Sequence, residues 1–259
     1  MNWNKAKNIL IVAFALLNLF LAYVLITLNN TQNNNVTLEY KNMVVELLEE
    51  HNVLLNIELP QGNINIPEIT VKYEIYNPND VRYENFEIPE HNKSLSYTNN
   101  SDTKLYEDID KDLAEKISLE FINQNGFDNG DIKLWSRSLE NNTYRIEYKQ
   151  QYNDITFDDG FMIIYVNQTG VTRFERRWLT IESIEDKNQM VIEPYRALML
   201  AMDKLPSESD EITEMLLTYK LSLNRAIDTQ WYNIDHGTMS PYWKIRFQNS
   251  ESIDIKASQ

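Results

Sequence analysis

Three arginines stand close together in RFERRW, and they are the one basic concentration in a chain with 39 acidic and 24 basic residues. On a strand, Arg173, Glu175 and Arg177 share one face, while Phe174, Arg176 and Trp178 share the other. Such a group could recognise an acidic partner or a carboxylate. It could equally pair across strands with neighbouring Asp and Glu, and the excess of acids favours that pairing. Asp154, Asp158 and Asp159 cluster in YNDITFDDG. They could hold a cation, but Asp-Asp-Gly between two strands is more simply a turn. The histidines, His51, His91 and His236, are scattered and show no HExxH spacing, so no catalytic or structural metal site is expected from them. There is no cysteine, which removes disulfides, thiol nucleophiles and Cys-ligated zinc. No GxSxG, SxxK or P-loop pattern occurs either. The expectation is therefore a protein that is not an enzyme and carries no cofactor.

The bulk numbers agree with a binding role. The formal net charge is −15, which repels nucleic acid and anionic lipid. Hydrophobic and aromatic contents of 42% and 11% are those of a folded chain rather than a disordered one.

The elements that must position these residues begin with an apolar run. Ile9 to Leu28 would make about 30 Å of helix, enough to cross a bilayer. The run ends in LITLNNTQNNN without a small-x-small cleavage pattern, so it is expected to remain as a signal anchor. Lys5 and Lys7 precede it and no Lys or Arg follows closely. That places residues 1–8 in the cytoplasm and residues 30–259 outside the cell, with a linker at 29–35. Asn18 falls at mid-membrane. Ile11, Ala15, Asn18, Ala22 and Leu25 lie on one helical stripe, where small residues and an amide suit close contact with a partner helix.

Beyond the anchor, NVTLEYKNMVVELLEEH has helical spacing at Tyr40, Met43, Val44, Leu47 and Leu48. Pro60-Gln61-Gly62 reads as a turn. ITVKYEIY alternates, with Ile69, Val71, Tyr73 and Ile75 on one face, and VRYENFEI reads as a second strand. The polar stretch EHNKSLSYTNNSD suggests a boundary. The first exterior domain is thus expected at 36–104 and the second at 105–259, with a sub-boundary near 185–190. In the second, a helix runs over EDIDKDLAEKISLEFINQNGF and stops at Gly126. The strands DIKLWSRS, NTYRIEYKQ, GFMIIYVN and GVTRFERRW follow, the last two joined by the turn NQTG. A helix starting at Pro194 and the strands MLLTYKLSLNR and PYWKIRF complete the pattern. The fold class expected is α+β: one N-terminal transmembrane helix, then tandem modules of helices packed on antiparallel sheets.

The opening NWNKAKNILIVAFALLNLFLAYVL resembles the start of the YycI (WalI) family. The match is carried by Trp3, by Lys5-Ala6-Lys7, and by Leu17-Asn18-Leu19-Phe20-Leu21 inside the anchor. The layout of the whole chain is also similar, although the exterior contributes no diagnostic motif. The resemblance implies a regulator of the WalK/WalR (YycG/YycF) two-component system of low-GC Gram-positive bacteria. It implies partnership with a YycH-like protein and contact with a WalK-like sensor histidine kinase through membrane helices, tuning cell-wall metabolism. It implies α+β exterior modules as well. The competing expectations are an anchored ligand-sensing or inhibitory module and, less favoured, an envelope hydrolase built on distant carboxylates.

Overall fold

A computed structural model describes residues 14, 17–21, 38–60, 64–206, 208, 210–222, 230–233, 236–249 and 251–258. Most of the expected anchor, including Ile11, Ala15, Ala22 and Leu25, lies outside the described residues, as do Gln61 and Gly62 of the expected turn. Phe14 and residues 17–21 are helical, and Asn18 is exposed there. Among the described residues no helix is long and apolar enough to cross a membrane.

The fold is a large mixed sheet with few helices. Helix α1 covers residues 38–50 and buries Val44 and Leu48 one turn apart. Strands β1 (Val53–Leu55) and β2 (Asn65–Tyr73) follow. Ile69, Val71 and Tyr73 are buried as the alternation predicts, but Ile75 lies past the end of β2 and is 68% exposed. VRYENFEI is not a strand. Val81–Tyr83 is a 3-10 turn, because the Asp80 carboxylate accepts the Arg82 N–H at 3.0 Å and bends the chain. The polar stretch after it holds β3 (Leu95–Thr98), a strand that its composition conceals.

Helix α2 (Lys111–Gln124) is capped by Asp110, which accepts the Leu113 N–H at 2.8 Å, and it stops before Gly126 at φ 68°. A meander follows: β4 (Ile132–Glu140), β5 (Thr143–Tyr152), β6 (Ile155–Asn167) and β7 (Gly170–Arg177). The β4–β5 and β5–β6 turns are Asn141-Asn142 and Asn153-Asp154, all at positive φ, the conformation that two-residue hairpins favour. The turn expected at Asp158-Asp159-Gly160 therefore lies earlier, and those three residues are inside β6. Next come β8 (Leu179–Met190), α3 (Pro194–Ala201), β9 (Asp210–Ser222), β10 (Gly237–Phe247) and β11 (Ser252–Lys256).

The main strand order is β3-β7-β6-β9-β10-β2-β8, with β1 beside β9, β11 beside β10, and β4-β5 beside β6. The β1–β9 and β6–β9 pairs are parallel, so the sheet is not purely antiparallel as expected. Long crossings that bring distant segments side by side produce these parallel pairs. Two apolar cores flank the sheet. One joins α1, α3, β2, β9 and β10, from Val44 through Trp243 to Ala257. The other joins α2 with β5–β7, from Tyr76 to Trp178. Residues 36–104 contribute to both cores. The second core's chain leaves the end of β2 and returns into β8, and at that crossing the Glu74 N–H donates to the Trp178 carbonyl at 2.9 Å.

The crossing is packed without slack. A Cβ on Gly160 would sit 2.7 Å from Gln150 Oε1 and 2.9 Å from its Cβ, where β6 is bulged. Gly160→Ala is expected to lower stability by about 1–3 kcal/mol through overpacking. A denaturant-unfolding midpoint would register it.

Candidate functional site

The junction of the two cores contains a cleft of about 580 Å³. One wall is β4, which supplies Trp135. The β5–β6 turn and Thr156 form the floor, and Glu214–Leu217 of β9 with Arg246 of β10 form the opposite wall. The Arg246 guanidinium lies 3.8 Å from the Trp135 ring centre, and its Nη1 donates to Glu214 Oε2 at 2.8 Å. Tyr219 and Trp243 close the bottom. Tyr219 donates its hydroxyl to the Pro67 carbonyl at 3.0 Å, and burial pushes its phenol above the ordinary value. Trp243 donates its indole N–H to the Ile192 carbonyl at 2.8 Å. Two buried polar atoms here have no hydrogen-bond partner among the described residues, Thr156 Oγ1 and Arg246 Nη2. These residues come from four strands far apart in the chain, so no local spacing announces them.

The RFERRW arginines meet different fates on β7. Arg176 is enclosed, its side chain 1% exposed. It donates to Glu74 at 2.7 Å and to the Tyr76 hydroxyl, between the rings of Phe127 and Trp178. Burial leads among the causes that raise the Tyr76 phenol pKa. Arg177 donates its Nε–H to the Asp159 carbonyl at 3.1 Å and lies over Phe161 and Trp231, each 4.6 Å away. Arg173 is 58% exposed and pairs with Glu175. All three thus have internal partners.

The three aspartates are not gathered. Asp154 is exposed in the turn. Asp159 accepts the Leu221 N–H at 2.8 Å. Asp158 accepts from Lys244 at 2.9 Å and lies 3.4 Å from Lys220, and both lysines also meet Asp254 of β11. This alternating network stitches β6, β9, β10 and β11. Burial alone would raise the Asp254 pKa, but Lys220 and Lys244 hold it below the usual carboxylate value. His51 bonds the Leu47 carbonyl, and His91 stacks on Tyr232 with ring centres 5.0 Å apart. His236 is exposed. Among the described residues no group of three or more His, Asp or Glu is placed to hold a metal ion.

Two outcomes follow from these contacts. Arg176→Met strands Glu74 and the Tyr76 hydroxyl and is expected to cost on the order of 3 kcal/mol, against under about 1 kcal/mol for Arg173→Met. Urea unfolding of the two variants measures the difference. Because Asp254 titrates below its unfolded value, its contribution is complete above about pH 4 and is lost as pH falls through the folded value. Asp254→Asn should therefore flatten the fall of stability on acidification, read from unfolding midpoints between about pH 4 and pH 2.

Comparison with known proteins gives one family and, among the solved structures, distant likenesses in shape that include the following two. An uncharacterised protein of Eubacterium rectale is similar over 80% of this chain and 86% of its own, at 9% identity and a TM-score of 0.46. The C-terminal domain of Bacillus megaterium YpeB is similar over 84% of this chain and 92% of its own, at 10% identity and a TM-score of 0.37. A search of curated proteins finds no match. The model of the YycI protein family matches residues 31–258, nearly all of the chain beyond the apolar run. The chain belongs to the YycI family, a regulatory family of the WalK/WalR two-component system.

Proposed function

We propose that this protein is a membrane-anchored, non-enzymatic accessory regulator of a WalK-like sensor histidine kinase that controls cell-wall metabolism, acting with a YycH-like partner. The observation that carries this reading is the family match over residues 31–258. The anchor is residues 9–28, with the N-terminus in the cytoplasm and residues 30–259 outside. This reading is supported by the length of the apolar run and by Lys5 and Lys7 before it.

The working contact is the stripe Ile11, Ala15, Asn18, Ala22 and Leu25. Asn18 is the polar residue at the centre of this stripe. A side-chain amide in hydrocarbon gains by bonding across a helix pair, and Ala15 and Ala22 let the backbones approach. If the anchor binds one state of the kinase better than the other, it shifts the kinase toward that state by the difference in affinity. The exterior arginines Arg173, Arg176 and Arg177 are the weaker candidate contact, and each also has an internal partner.

The test is in-cell crosslinking from the anchor, with mass spectrometry of what is caught. A sensor kinase is the expected product. Asn18→Leu should insert normally yet reduce that product about threefold, in line with roughly 0.6 kcal/mol for one interhelical bond. Unchanged crosslinking would remove the amide from the contact, and recovery of wall enzymes alone would overturn the kinase assignment.

A further inference from the structure

We propose that the cleft between the two cores is a peptide-docking site, in which an extended segment of a partner protein adds along a free stretch of β9. This goes beyond the anchor contact and stands independently of it.

On one side β9 pairs with β10 along its length. On the other side it pairs with β1 only as far as Ile212, and with β6 only at Thr218 and Tyr219. Residues 213–217 have no strand partner on that side among the described residues. They form an interior notch rather than an ordinary sheet edge. At about 3.3 Å per residue the notch is some 17 Å long. Every second residue along it turns its N–H and C=O away from β10, and these groups face the cleft. Main-chain groups in a half-buried position need partners. An extended polypeptide offers donors and acceptors at matching intervals, and this is the mode of recognition by strand addition.

The cleft walls carry the rest of the specificity. Leu217 and Met215 on β9, Ile66 on β2 and Ile155 on β6 are apolar and line it, so alternate side chains of the incoming segment should be apolar. Thr156 Oγ1 and Arg246 Nη2 are buried, lie in the same cleft and have no partner among the described residues. Both atoms are shut off from solvent, so the incoming segment is held by the β9 main chain and the apolar walls rather than by these two donors. Arg246 is already neutralised by Glu214, and the rim adds one lysine, Lys133, and one aspartate, Asp154. The local charges balance despite the acidic surface of the whole chain. The segment it fits is therefore neutral, with apolar residues at every second position.

The test uses the full chain in detergent micelles and a displayed library of random linear dodecapeptides. Enrichment of neutral sequences with alternating apolar residues is expected. For a synthetic peptide of the enriched sequence, N-methylation at alternate amides should weaken binding about tenfold or more, and at the intervening amides little, since only alternate residues bond to a given neighbouring strand. Amide hydrogen exchange at residues 213–217 should slow when the peptide is bound. Leu217→Lys should abolish binding, and the ligand-side N-methyl series keeps the test decisive if that variant folds poorly. Failure to enrich any such sequence, uniform indifference to N-methylation, or unchanged exchange at residues 213–217 would each overturn the proposal.

Discussion

Gln150 sits where the chain passes from one core to the other, and the rest of the structure is arranged around its amide. It is 3% exposed and spends every polar atom on the crossing. Its Nε2 donates to the Leu179 carbonyl at 2.8 Å and to Asp131 at 2.9 Å, and its Oε1 accepts the Leu179 N–H at 3.0 Å. Asp131 also receives the Trp178 indole N–H at 3.1 Å. The side chain thereby acts as a substitute strand, completing the ladder where β7 gives way to β8. Buried polar groups joined this completely fix one arrangement, because any slip leaves several of them unmet. Gly160 is the counterpart, since only a residue without a Cβ lets the amide lie flat against β6. Arg176 repeats the device one pair of residues earlier, bonding to Glu74 on the outgoing strand.

An acidic chain must ration its cations, and several of its lysines and arginines work inside the fold. Lys149 donates to the Asp158 carbonyl at 2.8 Å, close to Glu147, and burial lowers its pKa against the pull of those acids. Lys220 and Lys244 are shared between Asp158 and Asp254. Arg137 pairs with Glu115 and so ties α2 to β4. A surface left with its acids in excess repels anionic polymers.

The helices and the β6–β7 hairpin were legible because their signals are local. Asp110 and Gly126 bracket α2, and Asn167 to Gly170 close the β6–β7 hairpin. The sheet order was not legible, because the parallel pairing of β6 with β9 rests on Thr156 meeting Thr218, residues with no shared pattern. Strand β8 was concealed by its composition, since its polar second half pairs along β2 at an outer position where few apolar residues are required. Arg173, Arg176 and Arg177 were legible as a cluster but not in their separate roles, which depend on Tyr76, Phe127 and Trp231 arriving from elsewhere. The cleft was invisible for the same reason. Its Trp135 and Arg246 meet only after the sheet has curled.

The interrupted first core also bears on how the chain is made. Its members run from Val44 to Ala257, whereas the second core is complete once Trp178 has been synthesised. A ribosome therefore delivers everything the central unit needs while the flanking unit still lacks β9, β10 and β11. Folding during synthesis should run from the middle outward. The segments nearest the two chain ends then close together last, as the final residues emerge. Helix α1 must wait, with its apolar face uncovered, for nearly the whole of translation.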